Sequence, residues 1–348
     1  MDAFVNALCH EIEIRKNETD EPIQTIYFGG GTPSLLHASH IEKIFFALFD
    51  SYTINKTAEI TIEANPDDLS VKYIDELATL PFNRMSIGIQ SFNDNELQFL
   101  SRRHSLQDAI TAVNNCQKRG FENISVDLMY GLPKQTMRTW KRSLQYAIDL
   151  QIQHISAYHL IYEEQTRIFF LLQAGKIAPL NEAMSIEMFS TLINELEKAN
   201  FKHYEISNFA KPNYISQHNA SYWKGEKYIG LGPSAHSFNG TTRSWNSPSI
   251  SSYIKSALTH SIDNEKEILS TNDKYNEYIL TGLRTMWGVN LNKLKTVFGK
   301  ARYQYCMANA QKYLDKKLLE ITNEDTLSLT REGLFISDGI MSDLMWVD

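Results

Sequence analysis

The feature that most constrains this chain of 348 residues is a repeated pattern, in which a short β-branched or aromatic run precedes a longer segment of helical period. The predicted strands are Thr25–Phe28, Glu59–Glu63, Arg84–Ile89, Ile124–Leu128 and His154–Tyr158. Between them, helical periodicity marks His40–Asp50, Tyr73–Leu80, Leu106–Arg119 and Arg138–Leu150. Units of about 30 residues predict a parallel sheet with outer helices, either an open doubly wound sheet or a barrel.

The pattern changes after Gln165. Two helices are expected over Thr166–Ala174 and Glu182–Ala199, followed by an aromatic-rich stretch over 207–249 with little regular pattern, which we interpret as an ordered, packed loop. Helices and a short strand near the C-terminus then predict a small α+β module of winged-helix type. The predicted domains are a barrel over 1–206, an irregular segment over 207–260 and the C-terminal module over 261–348.

Composition excludes several classes of protein. The chain is 43% hydrophobic and 22% charged with a net charge of −7, values that exclude a disordered chain and argue against a nucleic-acid partner. No apolar run approaches the roughly 18 residues of a membrane span, and the first sixteen residues predict a helix and not a signal peptide. Cys9, Cys116 and Cys306 are too far apart for a disulfide framework, so a reducing, cytoplasmic location is expected.

Polar and glycine residues lie at the carboxyl ends of four predicted strands. They are Gly29–Pro33, Glu63–Pro66, Gln90–Phe92 and the segment that contains Asp127. The carboxyl ends of parallel strands meet at one edge of a sheet, where α/β proteins bind ligands. These segments are therefore expected to converge on one site.

The residue types at this edge indicate a ligand class. Glu63 and Asp127 can bind ribose hydroxyls or an ammonium group, Gln90 can do so without charge, and Arg102 can pair with a carboxylate through two hydrogen bonds. Three consecutive glycines expose backbone groups, although they do not form the G-x-G-x-x-G fingerprint. The set suits a zwitterionic ligand that carries a sugar, whereas each residue alone is compatible with a cap, a turn or a surface ion pair.

Five motifs together resemble a known family. Tyr27–Leu36, Glu63–Pro66, Ser86–Phe92, Asp127–Pro133 and His218–Trp223 are similar to radical S-adenosylmethionine proteins related to oxygen-independent coproporphyrinogen III oxidase. The His-Asn-x-x-Tyr-Trp element resembles the heme chaperone branch, HemW. The resemblance implies an α/β fold, namely a partial (β/α) barrel of radical S-adenosylmethionine type followed by a small C-terminal domain.

The resemblance also implies site residues for S-adenosylmethionine. The methionine portion would be held by Gly30, Gly31 and Thr32. The rest of the ligand would be lined by Glu63, Gln90, Arg102 and Asp127, with Ile161 and His236 beside the adenosyl group.

One family element is missing from the sequence. The family carries Cys-x3-Cys-x2-Cys after its first barrel strand, and these thiolates bind a [4Fe–4S] cluster. The sequence has no such motif, and we count five barrel strands where the family has six. The expectation is that the first strand is missing, that Met1 is an internal start relative to the family, and that the chain has no cluster ligands.

The resemblance implies heme as a further ligand. Heme iron needs an axial ligand, and its macrocycle needs aromatic cover. His218 is the candidate iron ligand, accompanied by Asn219, Tyr222 and Trp223, with His203 or His236 as assisting residues. The alternative is a packed aromatic loop with a hydrogen-bonded histidine.

The leading hypothesis is a cytoplasmic heme chaperone that binds heme and S-adenosylmethionine and passes heme to an acceptor such as a respiratory protein. One alternative is oxidative decarboxylation of coproporphyrinogen III. Another is an inactive remnant, whose open sheet edge predicts association.

Overall fold

The computed structural model describes residues 1–259, 264–322 and 324–347, and its main feature is a curled seven-stranded sheet. The strands are β1 (Ile23–Phe28), β2 (Ile54–Ala64), β3 (Arg84–Gln90), β4 (Asn123–Tyr130), β5 (His154–His159), β6 (Lys202–Glu205) and β7 (Asn208–Ala210). Their spatial order is β1-β2-β3-β4-β5-β7-β6, with β1 to β5 parallel and β7 antiparallel to both β5 and β6. The five predicted parallel strands and the partial barrel are confirmed, whereas the β6–β7 hairpin was not predicted.

Helices cover the outside of this half-barrel. They are α1 (Asp2–Ile14), α2 (Ala38–Ser51), α3 (Val71–Leu77), α4 (Asp94–Phe99), α5 (Leu106–Lys118), α6 (Met137–Asp149), α7 (Arg167–Gln173) and α8 (Glu182–Lys198). Local sequence explains several starts: Ser105 and Thr136 accept hydrogen bonds from backbone N–H groups of the first turns of α5 and α6. Apolar faces of these helices then pack against the sheet.

The two faces of the sheet differ in polarity. Ile60 and Ile62 of β2, like Met85 and Ile87 of β3, belong to the main hydrophobic core beneath the outer helices. Side chains alternate along a strand, so the intervening residues point to the concave inner face. The intervening residues on β2, β3 and β4 are Glu59, Thr61, Glu63, Arg84, Ser86, Ser125 and Asp127. The half-barrel therefore has an apolar outer face and a polar inner face.

The segment after β7 is more regular than the sequence indicated. It contains α9 (Gln217–Lys224), β8 (His236–Phe238), β9 (Thr242–Asn246), α10 (Ile250–Leu258) and β10 (Asn264–Ile268), and its strands form an antiparallel sheet in the order β10-β9-β8. The expectation of an irregular loop over 207–249 was wrong, because glycine- and serine-rich turns separate elements too short to show a period. The predicted boundary at 260/261 lies outside the described residues, and the domain division stays a prediction.

A buried carboxylate fixes this segment to the first helix. Glu11 of α1 is fully buried and accepts hydrogen bonds from Arg15 Nη1 at 3.2 Å, Gly232 N–H at 2.8 Å, Asn246 Nδ2 at 2.8 Å and Tyr253 Oη at 2.6 Å. Such a paired and hydrogen-bonded charge is stable when buried. The α9–β10 segment is thereby held against the half-barrel.

The C-terminal module matches the predicted winged-helix-like α+β type. Its elements are α11 (Thr271–Leu283), β11 (Val289–Asn290), α12 (Leu291–Asp315), β12 (Leu319–Thr322), β13 (Thr326–Leu329), α13 (Arg331–Leu334) and α14 (Ser337–Leu344). The strands form a small sheet in the order β11-β13-β12, and α12 is interrupted at Gly299, whose φ is 89°. Across the described residues, no helix is both long and apolar enough to cross a membrane.

Candidate functional site

A polar cleft of about 180 Å³ lies at the carboxyl ends of β1 to β4. It is lined by Gly31, Thr32, Pro33, Ser34, Glu63, Ala64, Asn65, Ser86, Gly88, Gln90 and Asp127. The structure therefore brings together five of the residues predicted for S-adenosylmethionine, namely Gly31, Thr32, Glu63, Gln90 and Asp127. Sequence reasoning placed them at one edge, and the parallel order of the strands is the reason that they meet.

The glycine turn after β1 has a backbone shape that other residues rarely adopt. Gly30 and Gly31 have φ values of 74° and 59°, and a Cβ atom added at either would have no neighbour within 4 Å. A Cβ atom at Gly29 would lie 2.4 Å from Cε1 of Tyr27. The turn thus exposes backbone groups to the cleft.

Glu63 is held through both carboxylate oxygens. The Tyr27 hydroxyl donates to Oε1 at 2.6 Å, and the Gly30 N–H donates to Oε2 at 3.3 Å. The glycine turn and the end of β2 are thereby connected across the cleft. A ligand with hydroxyl or ammonium donors meets a carboxylate that is already oriented.

Asp127 is the second acidic group of the cleft. Burial raises its pKa to about 6, and the negative charge of Glu63 acts in the same direction, whereas the Ser156 hydroxyl and the charges of Arg84 and Arg102 act against it. The two carboxylates therefore form a site that favours a bound positive charge. This fits the sulfonium or ammonium group of S-adenosylmethionine.

Gln90 and Arg102 occupy different places relative to the cleft. Gln90 lines it with a φ of 70°, an unusual conformation for a residue other than glycine. Arg102 lies behind the wall, where its Nη2 donates to Asn65 Oδ1 at 2.6 Å and to Gly88 O at 2.7 Å, and burial lowers its pKa. Because Nη2 is already bonded, a ligand carboxylate has to reach the other guanidinium nitrogens.

Ile161 and His236 are not among the residues that line the cleft. Ile161 follows β5 with 71% of its surface exposed. His236 is exposed on β8, where its ring stacks on Trp245 with a centroid separation of 5.7 Å. Their adenosyl contacts stay a prediction.

The His-Asn-x-x-Tyr-Trp element forms α9, whose first turn is held by a buried carboxylate. Glu59 of β2 accepts hydrogen bonds from the backbone N–H groups of Gln217 at 2.9 Å and His218 at 3.0 Å. A negative charge at a helix N-terminus is favourable, since unpaired N–H groups and the helix dipole are located there. β2 therefore positions α9 as well as the cleft.

Both ring nitrogens of His218 have partners. Nδ1 lies 2.8 Å from Thr25 Oγ1, and Nε2 lies 3.0 Å from the Tyr222 hydroxyl. The ring also stacks on Tyr27, with centroids 4.5 Å apart and planes 14° apart. Burial, with the charge of Arg84, lowers the pKa of His218 to about 4. At neutral pH the imidazole is neutral, which is the form that binds metals.

The other residues of the motif face in different directions. Tyr222 is 40% exposed, and its ring meets Tyr228 edge-on at 4.7 Å. Trp223 lies under the guanidinium of Arg284, which ends α11, at 5.4 Å. The backbone N–H of Asn219 donates to Ser216 Oγ at 3.2 Å. α9 thus joins the half-barrel to the C-terminal module.

The thiols do not fit an iron–sulfur cluster. Cys9, Cys116 and Cys306 lie on α1, α5 and α12, and burial raises the pKa of Cys116 to about 12 and that of Cys306 to about 11. A [4Fe–4S] cluster of this family needs three neighbouring thiolates. Within the described residues no group of three potential His, Cys, Asp or Glu ligands occurs.

Sequence reasoning missed the residues that connect these sites. Tyr27, Glu59 and Thr25 contact His218 or its helix, although Thr25 and His218 are 193 positions apart. Arg84 is 1% exposed, and its Nε has no hydrogen-bond partner among the described residues. The signal that was available is the polar–apolar alternation of Glu59–Ala64 and Arg84–Ile89, which indicates a polar inner face.

Two family models match the chain. The Radical SAM superfamily matches residues 10–147, and the HemN C-terminal domain matches residues 269–336. Among solved structures, coproporphyrinogen III oxidase (HemN) from Escherichia coli has a TM-score of 0.84 and 20% identity, covering 99% of this chain and 83% of that chain. At this identity the likeness shows the fold.

Curated relatives match over nearly the whole chain. Heme chaperone HemW of Lactococcus lactis is 32% identical over 338 residues, which cover 97% of this chain and 86% of the relative. HemW of Bacillus subtilis is 32% identical over 343 residues, with coverages of 98% and 90%. A Danio rerio relative, the mitochondrial radical S-adenosyl methionine domain-containing protein 1, is 31% identical, with coverages of 93% and 75%. The chain belongs to the HemW family of the radical S-adenosylmethionine superfamily.

Proposed function

We propose that this protein is a heme chaperone that binds heme at α9 and passes it to an acceptor protein. The observation that carries the proposal is His218, a neutral imidazole within a group of aromatic rings on the helix formed by the His-Asn-x-x-Tyr-Trp element. The names of the curated relatives give the same activity for those proteins. A neutral histidine beside aromatic rings is what heme iron and its macrocycle need.

Within this proposal, Nε2 of His218 is the nitrogen that binds iron. Thr25 holds Nδ1, and such a second hydrogen bond fixes the tautomer and the orientation of a metal-binding histidine. The Tyr222 hydroxyl leaves Nε2 as iron arrives, and exposure of Tyr222 allows this movement. The exposed ring of Tyr222 lies beside His218 and covers the macrocycle. Trp223 joins it only by leaving the guanidinium of Arg284, and Asn219 lies one turn before Trp223 on α9.

The polar cleft is the proposed site for S-adenosylmethionine. The methionine portion lies against Gly30, Gly31 and Thr32. The remaining contacts come from Glu63, Gln90, Arg102 and Asp127, with Ile161 and His236 beside the adenosyl group. The acidic pair and the exposed glycine backbone support this assignment, because the ligand combines a sulfonium, an ammonium, a carboxylate and a ribose.

The [4Fe–4S] cluster belongs to the family, but its three thiolates are not on this chain, so we assign no radical step to it. A respiratory protein remains the acceptor class that we propose. Free, scattered thiols are typical of a reducing compartment and support a cytoplasmic location.

Heme titration of the purified chain tests the proposal. Heme should give a shifted Soret band, and His218→Ala should weaken binding at least about tenfold, since one iron–imidazole bond is lost. Added imidazole should restore the spectrum of that variant beyond the spectrum that heme and imidazole give without protein, a rescue that misfolding does not allow. His37→Ala, an exposed histidine before α2, is the matched control. Equal binding by His218→Ala and the control would refute the assignment.

Oxidative decarboxylation of coproporphyrinogen III is the alternative function expected from the sequence. The likeness to HemN supports a common fold and gives no support for a common reaction. The heme chaperone is favoured because α9 carries the His-Asn-x-x-Tyr-Trp element and positions its histidine beside Tyr27 and Tyr222.

A further inference from the structure

The cleft and α9 are joined by an unbroken series of contacts through one tyrosine. The Gly30 N–H and the Tyr27 hydroxyl both donate to Glu63, and the Tyr27 ring stacks on His218. We infer that Tyr27 couples S-adenosylmethionine binding in the cleft to heme binding at His218, so that each ligand strengthens the other. This inference rests on the proposed function and adds its regulation.

The hydroxyl and the ring of Tyr27 make separate contacts. Its hydroxyl reaches Glu63 Oε1 at 2.6 Å, while its ring lies nearly parallel to the imidazole of His218 at 14°. Burial raises the pKa of the hydroxyl well above its usual value, with the charge of Glu63 as the next cause. The hydroxyl therefore stays protonated and donates to Glu63 throughout the physiological range.

The direction of the coupling follows from what each ligand orders. A ligand on Glu63 holds that carboxylate in place, which keeps the Tyr27 hydroxyl bonded and its ring in one orientation. An ordered Tyr27 ring keeps the imidazole of His218 in the plane in which Thr25 binds Nδ1 and Nε2 faces the Tyr222 hydroxyl. The second ligand then loses less conformational entropy on binding. Linkage requires the effect to be equal in both directions.

Strand β2 makes the series of contacts between the cleft and α9 short and rigid. Glu63 and Glu59 lie on the same strand and the same face, one at the cleft and the other at the first turn of α9. Both ends of the path are therefore anchored to one element. The Tyr27 hydroxyl is the part that can be removed without removing either anchor.

The experiment measures heme affinity with and without S-adenosylmethionine, by Soret titration, in the full chain and in Tyr27→Phe. For the unaltered chain we expect heme affinity to rise about five- to tenfold with S-adenosylmethionine, at the lower end of typical coupling. In Tyr27→Phe the ratio of heme affinities with and without S-adenosylmethionine should fall below about twofold, because the ring stays while the contact to Glu63 is lost. Each protein is its own reference, so a general change in heme affinity does not affect the ratio.

Tyr278→Phe is the matched control, since it removes a tyrosine hydroxyl that donates to Asn290 O within the C-terminal module. The Tyr278→Phe variant should show the same rise in heme affinity with S-adenosylmethionine as the unaltered chain. Calorimetric titration with S-adenosylmethionine alone measures that ligand independently of heme.

The outcomes separate the inference from the proposed function. If the unaltered chain does not bind heme, both the proposed function and this inference are refuted. Heme binding at His218 without any effect of S-adenosylmethionine, or with the same ratio in Tyr27→Phe, refutes the inference alone. Absence of S-adenosylmethionine binding in calorimetry also refutes the coupling and leaves the heme function standing.

Discussion

At the scale of single residues, the proposed heme site requires iron to displace the Tyr222 hydroxyl from Nε2 of His218. The hydroxyl lies 3.0 Å from Nε2 of His218, and this hydrogen bond has to break before iron binds. A hydrogen bond of this kind contributes about 0.5–1.5 kcal/mol net. Tyr222→Phe keeps the ring and removes the competitor, so heme should bind about two- to tenfold more tightly in a Soret titration.

Tyr228→Phe is the control for this variant. Its ring packs edge-on against Tyr222, and its hydroxyl interacts with Arg243. Heme affinity should change little. Weaker heme binding by Tyr222→Phe would instead mean that the hydroxyl contributes to the iron site. It would refute the prediction that the hydroxyl competes with iron.

Sequence reasoning reached some site residues and not others for a physical reason. Glu63 and Asp127 were predicted to meet because both lie toward the carboxyl ends of parallel strands, and strand direction alone brings such positions to one edge. The stacking of Tyr27 on His218 depends on how α9 docks beside β1. Docking of a distant helix is set by the whole tertiary structure, which no local pattern records.

At the scale of elements, α1 is fixed to the α9–β10 segment by Glu11. Removing this carboxylate leaves buried donors on Arg15, Asn246 and Tyr253 without their acceptor. Breaking a buried, hydrogen-bonded ion pair typically costs about 3–5 kcal/mol. Glu11→Ala should therefore lower the free energy of unfolding by about that amount in urea denaturation.

Glu13→Ala on the same helix is the control, because its side chain is 68% exposed. That variant should unfold within about 0.5 kcal/mol of the unaltered chain, as surface changes usually do. Equal stability of the two variants would mean that the buried network contributes little.

Prediction of elements succeeded where an element is long enough to show its period. The five parallel strands and the four predicted helices between them appeared close to the predicted positions, although β2 begins at Ile54 and not at Glu59, and α4 was not predicted. In contrast, β6 and β7 have four and three residues and no detectable alternation. α9 was missed because polar and aromatic residues follow each other without a clear apolar face. Its helical form comes from Ser216 and Glu59 at its start, and Glu59 is distant in sequence.

At the scale of the whole molecule, the polar interior of the half-barrel makes stability depend on pH. Burial keeps several histidines neutral: their pKa values lie below the usual value at His104, His154, His159, His203 and His218. Below pH about 6.5 the unfolded chain therefore binds more protons at these positions than the folded chain does. Stability should therefore fall as pH decreases from about 6.5 to 4.

Asp127 acts in the opposite direction. Its pKa is raised to about 6, so the folded chain keeps a proton that the unfolded chain loses near pH 4, and this contribution decreases as pH rises through 6. The buried histidines together outweigh it, because burial lowers the pKa of His203 and of His218 to about 4 and holds that of His154 well below its usual value. We expect the free energy of unfolding in urea to be about 2 kcal/mol higher at pH 7 than at pH 4.5.

His154→Gln tests the source of this dependence. Glutamine can keep one of the two contacts that His154 makes, to Ser125 Oγ at 2.7 Å and to Tyr204 Oη at 2.8 Å, but it does not titrate. The difference between pH 7 and pH 4.5 should shrink in this variant, whereas Asp127→Asn should enlarge it by removing the opposing contribution. An unchanged difference in both variants would place the pH dependence outside the inner face of the half-barrel.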